Sequence, residues 1–130
     1  MDDPKRISAA LDRIDDYCSR IPRMIHRFGR LDALKEDQDY QMAAVMALSQ
    51  IGENVKLIQD WLYSNSPDYD WTGCIRFRDL VSHHYHVTDF DEVWGIMNDD
   101  VPKLWDEIHR LQDVAGNQSR PRCDDNGRIR

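Results

Sequence analysis

DYQMAAVMALSQIGENVKLIQDWLY, residues 39–63, sets the class of fold. Ala44, Ala47, Leu48, Ile51, Val55, Ile58 and Leu62 recur at intervals of three and four. That spacing gathers them on one face of an α-helix and scatters them over both faces of a strand. The stretch therefore predicts one long amphipathic helix from about Asp39 to Tyr63, ended by the turn residues of SNSPDYD. Inside it, QIGEN carries a glycine that costs about 1 kcal/mol in a helix interior. Gly52 is thus expected to mark a close crossing by another helix; its neighbour Glu53 could reach a site across the bundle, although it reads more readily as a solvated helix charge.

The same period extends in both directions. Toward the N-terminus, Asp3 and Pro4 form a cap with proline in the first turn. Ile7, Ala10, Leu11, Ile14, Cys18 and Ile21 then share one face. Pro22 is expected to end or kink this helix, and PRMIHRFG to form a short turn closed by Gly29. Toward the C-terminus, a third helix should start near Trp71 and pack through Ile75, Phe77, Leu80 and Val81. Asp89 and Glu92 make a D-x-x-E cap for a fourth helix, whose stripe runs from Phe90 to Leu111 and which Pro102 should bend. No segment alternates with period two. Four principal helices with short connections fit an all-α antiparallel bundle.

The chain has 130 residues, enough for one domain with its own core. A helical domain over residues 1–114 and a basic, disordered tail over 115–130 are expected. The last fourteen residues hold four Arg against two Asp. The net charge of -7 argues against a general nucleic-acid surface, since nonspecific affinity comes from Lys and Arg releasing counterions; it leaves room for a small local site. The sequence has neither a membrane-length apolar run nor a secretory leader, so a cytoplasmic protein is expected. Cys18, Cys74 and Cys123 are an odd number without C-x-x-C spacing, which reads as reduced thiols, two packed and one in the tail.

Chemistry concentrates in RDLVSHHYHVTD, residues 78–89. Arg78, His83 and Tyr85 form R-x-x-x-x-H-x-Y, with Asp79 directly after the arginine. A guanidinium fork suits phosphate oxygens, an imidazole moves protons near neutral pH, and the 2′-hydroxyl of RNA is a built-in nucleophile. Together they could cleave an RNA phosphodiester without a metal or other cofactor. On a continuous helix, positions 78 and 83 lie about 140° apart. Either the helix ends near His83 or two copies of the chain complete one site, as a twofold interface permits.

Two other readings stay open at this point. The cluster could be a helix end whose charges pair locally, with His84 and His86 as surface side chains. A metal site from His83, His84, His86, Asp89 and Asp91 is conceivable, although no ligand pair at i, i+4 supports it. Trp71, Trp94 and Trp105 read as core more readily than as a base-stacking platform.

QIGENVKLI, followed by RFRDLVSHHYHVTDFDEVWGIMNDDVPKLWDEI, resembles the HepT-like branch of the HEPN superfamily, over about residues 5 to 111. The most specific part is the R-x-x-x-x-H-x-Y motif followed by Asp89, Trp94 and the D-x-P of Asp100 to Pro102. The resemblance implies a four- to five-helix bundle that dimerises so that both motifs line one cleft. It implies a metal-independent ribonuclease toxin of a HEPN–MNT toxin–antitoxin pair. Arg78 and His83 would be its catalytic residues, and Asp79 the polar residue that follows the arginine. Tyr85 would be the tyrosine that a nucleotidyltransferase antitoxin modifies with AMP. The competing class is a noncatalytic helical module that binds a nucleotide or a protein.

Overall fold

Asp3 starts the first helix by accepting a hydrogen bond from the Lys5 amide at 3.0 Å, with Pro4 in the first turn. The helix α1 (Pro4–Phe28) buries Ile7, Ala10, Leu11, Ile14, Cys18 and Ile21, the face expected from the spacing. The computed structural model describes residues 3–82 and 88–119. Pro22 does not end α1, which runs on to Phe28 and stops at Gly29, where φ is 117° and the amide donates to the Ile25 carbonyl. An interior proline costs about 3 kcal/mol. Met24, Ile25 and Phe28 are partly buried against the core beyond it, and the apolar area they remove from water, at roughly 25 cal/mol per Å², works against that cost.

A short helix absent from the expectation follows, α2 (Leu31–Glu36), anchored by the fully buried Leu34. Its last carbonyls would be orphaned; the Gln41 side chain donates to those of Leu34 and Lys35 at 2.8 and 3.0 Å. Asp37 caps the central helix α3 (Gln38–Leu57) by accepting from the Asp39 and Tyr40 amides. The single helix expected as far as Tyr63 is interrupted at Ile58 (φ -120°, ψ 27°) and resumes as α4 (Gln59–Asn65).

After the loop, Asp70 caps α5 (Trp71–Ile75), which tightens into a 3₁₀ turn (Arg76–Arg78) and continues as α6 (Asp79–Ser82). Asp89 accepts from the Asp91 and Glu92 amides and opens α7 (Phe90–Gly95). A π turn (Ile96–Asp100) leads into α8 (Val101–Ser119). At Pro102, where a bend is expected, the chain widens just before the proline: the Val101 amide reaches back to the Ile96 carbonyl. A π turn gives room where a proline ring would press on the carbonyl four residues earlier. Residues 115–119, expected to belong to the tail, continue α8, and Ala115 is buried. The rest of that tail, Cys123 included, lies outside the described residues.

Side-chain bonds give the packing direction. Arg6 and Arg13 of α1 donate to Leu57 and Asn54 of α3, so these helices run antiparallel. Asp12 and Asp15 of α1 meet Gln112 and Trp105 of α8, again antiparallel. α1 thus lies against both α3 and α8, while α5, the 3₁₀ turn and α6 pack on α3. Trp71 is fully buried, and Trp94 and Trp105 are half-buried against the core, as expected for structural tryptophans. All regular structure among the described residues is helical, and none of their helices is long and apolar enough to cross a membrane.

Candidate active site

Gly52 determines how near the motif can come to the central helix. A Cβ at this position would lie 2.7 Å from the Arg78 amide nitrogen, 2.9 Å from the Cys74 carbonyl oxygen and 3.1 Å from that of Ile75. Backbone therefore meets backbone where α3 crosses α5 and the 3₁₀ turn, the close approach that the glycine predicts. Cys74 and Phe77 point into the core and anchor the crossing. Arg78, at the end of the turn, is left at the edge of the crossing beside the residue that follows the glycine.

That residue is Glu53, and its Oε2 accepts from Arg78 Nε at 3.0 Å. The carboxylate that read more readily as solvated does reach across the bundle, and it is the arginine's partner. The arginine side chain is 33% exposed and the glutamate 55%, and such a pair adds no more than about 1 kcal/mol to stability. Its consequence is orientation: with Nε engaged, the plane and direction of the guanidinium are set. One turn earlier, Ser49 Oγ lies 3.5 Å from the Arg78 carbonyl oxygen, a marginal contact that adds to the crossing. The clue to Glu53 in the sequence was its place next to a glycine at a helix crossing.

Asp79 opens α6 and is exposed. His83 and Tyr85, with His84 and His86, lie outside the described residues. The structure thus brings Arg78 together with Glu53.

The remaining candidates have structural duties. Asp89 caps α7, and Asp91 pairs with Lys35 of α2 at 3.1 Å, which engages two of the five side chains considered for a metal site. Among the described residues no three His, Cys, Asp or Glu side chains are grouped to hold a metal ion. Asp100 closes the π turn and Pro102 follows it, so the D-x-P segment shapes a helix. Burial pushes the Cys74 thiol up to about 12, with the nearby carboxylates of Asp70 and Asp100 adding to it. Cys18 is raised further, again mainly by burial. Neither thiol is a nucleophile at neutral pH.

Comparison with known proteins bears on the family. The family model described as "Ribonuclease HepT-like" matches residues 10–111, most of the chain. A Methanocaldococcus jannaschii protein named "Putative RNase MJ0127" is 31% identical over 86 residues, covering 65% of this chain and 71% of that protein. A Thermococcus cleftensis protein named "Probable ribonuclease HepT" is 28% identical over 104 residues, covering 78% of this chain and 94% of that protein. No solved structure matches the chain.

Proposed function

Because the chain belongs to the HepT-like ribonuclease family, we propose that it is an endoribonuclease that cleaves RNA without a metal, using Arg78 and His83 as its catalytic residues. The observation that carries this reading is the Arg78 guanidinium, held through Nε by Glu53 at the edge of a crossing that only a glycine permits. Its Nη groups are the donors for a phosphate. In the reaction, the ribose 2′-oxygen attacks phosphorus, the bond to the 5′-oxygen breaks, and a 2′,3′-cyclic phosphate and a 5′-hydroxyl result. His83 carries the proton between these oxygens, and Arg78 stabilises the charge that grows on the phosphoryl oxygens. Asp79 lies next to the arginine and shapes the local field.

The active form is a homodimer. Met42, Met46, Glu53 and Leu57 fall within about 60° of one another around α3, and the three apolar members are exposed. A second copy seated on this stripe places two Arg78–Glu53 pairs at one interface and covers apolar surface that a monomer leaves in water. The protein acts as the toxin of a pair whose nucleotidyltransferase antitoxin adds AMP to Tyr85; the added phosphate and bulk would repel and displace the RNA backbone. The helical domain ends in a basic tail.

The test is RNA cleavage in EDTA by the wild type, Arg78→Ala and His83→Ala. Both variants are expected to lose at least a hundredfold in rate with helicity and mass unchanged. Equal cleavage by all three would show that the nuclease lies elsewhere and leave a noncatalytic binding module.

A further inference from the structure

The arginines of this acidic chain are unevenly spread. Between Asp16 and Asp32 there is no carboxylate, and Arg20, Arg23, Arg27 and Arg30 follow one another at three- and four-residue intervals. That spacing keeps the first three on one face of α1. The face overlooks a groove of about 410 Å³ between α1 and the start of α3, lined by Arg20, Arg23, Met24, Arg27, Phe28 and Ala43.

Two ordinary explanations cover only part of this pattern. Cations favour the last turn of a helix, which accounts for His26 and Arg27 but not for Arg20 and Arg23, one to two turns earlier. Local ion pairing accounts for Arg20, which meets Asp16 at 3.0 Å with both side chains half-exposed. Arg23 instead folds along its own helix, donating to the Ser19 carbonyl and Oγ at 3.3 Å. Arg27 lies over the Phe28 ring, 5.5 Å from its centroid. Neither makes an ion pair among the described residues.

We propose that this groove is a docking track for the phosphate backbone of single-stranded RNA, leading the strand toward Arg78. The inference rests on the ribonuclease reading and adds to it the path of the substrate. All the cations are arginines, whose planar forks match phosphate oxygens in a bidentate way. The apolar floor of Met24 and Ala43 lets a sugar or base edge lie down between them. Phe28 is already stacked on Tyr40, with centroids 4.9 Å apart, and its other neighbour is the Arg27 guanidinium. Bases therefore meet a guanidinium plane before a ring, which favours sequence-tolerant binding. The track and the site share α3: Ala43 and Glu53 are about 15 Å apart along its axis, a separation of a few nucleotides. The acidic remainder of the surface repels a phosphate chain and confines it to the track.

The experiment measures fluorescence anisotropy of a labelled twelve-nucleotide RNA made wholly of 2′-O-methyl nucleotides, which lacks the attacking hydroxyl. The full chain is compared with Arg23→Gln/Arg27→Gln over a salt series, with cleavage of ordinary RNA followed in parallel and thermal melts as a folding control. The expected result is at least tenfold weaker binding and a salt slope shallower by about 1.4, at ~0.7 per lost phosphate contact on a single strand. The double Lys variant should keep most of the slope. Unchanged affinity and slope, with cleavage intact, would overturn the track and leave the nuclease reading standing. Absence of both binding and cleavage in the wild type would overturn the two together. Preferential binding of a polyglutamate peptide of matched charge would assign the groove to an acidic protein surface and overturn the RNA proposal.

Discussion

At the scale of single residues, Gly52 offers the sharpest test because two effects of opposite sign compete there. In an exposed helix interior, glycine to alanine stabilises by about 1 kcal/mol. Here the new Cβ would sit 2.7 to 3.1 Å from three backbone atoms, none of which can rotate away as a side-chain tip can. Overpacking of this kind typically costs about 1–3 kcal/mol, so Gly52→Ala is expected to lower the thermal midpoint by several degrees. RNA cleavage should fall as well, because the turn that carries Arg78 is pushed off Glu53. A raised melting temperature would show that the crossing opens freely and that the site is not built on it. This glycine was legible in the sequence, since a poor helix former within a strong apolar stripe needs a reason. The reach of Glu53 was legible from that glycine but its partner was not, because a carboxylate on a helix surface looks the same whether water or a guanidinium lies opposite. What lies opposite depends on the path of a segment more than twenty residues away.

At the scale of elements, the lock between α1 and α8 carries a pH dependence. Asp15 accepts from Trp105 Nε1 at 2.6 Å and from Gln112 Nε2 at 3.1 Å, and His109 Nε2 lies 3.2 Å away. Burial raises the pKa of this carboxyl, but the hydrogen bonds from Trp105, Gln112 and His109, with the His109 charge, outweigh it and leave it below the ordinary value of 3.8. A folded-state pKa below the unfolded one contributes stability that is complete above the unfolded value and fades as pH falls through the folded one. Asp15→Asn should therefore melt below the wild type at pH 7, and the gap should close as the pH drops below about 4. A gap that stays constant down to pH 2.5 would show that the carboxylate charge contributes nothing to the lock.

Element boundaries were legible wherever a cap or a stripe is local, as at Asp3, Asp89 and the start near Trp71. They were illegible where tertiary burial overrides a breaker. α1 passes Pro22 because Met24, Ile25 and Phe28 find the core beyond it, and the proline at 102 is accommodated by the π turn before it. The interruption at Ile58 has no breaker residue to announce it, and α2 is too short to show a period.

For the whole molecule, the proposed function requires one arginine and one histidine five positions apart to act on the same phosphate. A dimer built on the exposed stripe of α3 supplies an answer in which each site takes Arg78 from one protomer and His83 from its partner. That arrangement can be tested by complementation. Arg78→Ala and His83→Ala chains, each inactive, are unfolded together, refolded and assayed. Random pairing makes half of the dimers mixed, and each mixed dimer regains one intact site of two, so activity should return to about a quarter of the wild type in a twofold assembly. If both groups came from the same protomer, every site in the mixture would lack one of them and no activity would return. The stripe itself bears on the result. With Met42 61% and Met46 50% exposed, a glutamate at Met46 should hold the chain monomeric in light scattering, and the same substitution in both inactive chains should abolish the recovery. Recovery that persisted in monomeric chains would fit neither arrangement, because each chain lacks one of the two groups, and would show that Arg78 and His83 are not the catalytic pair.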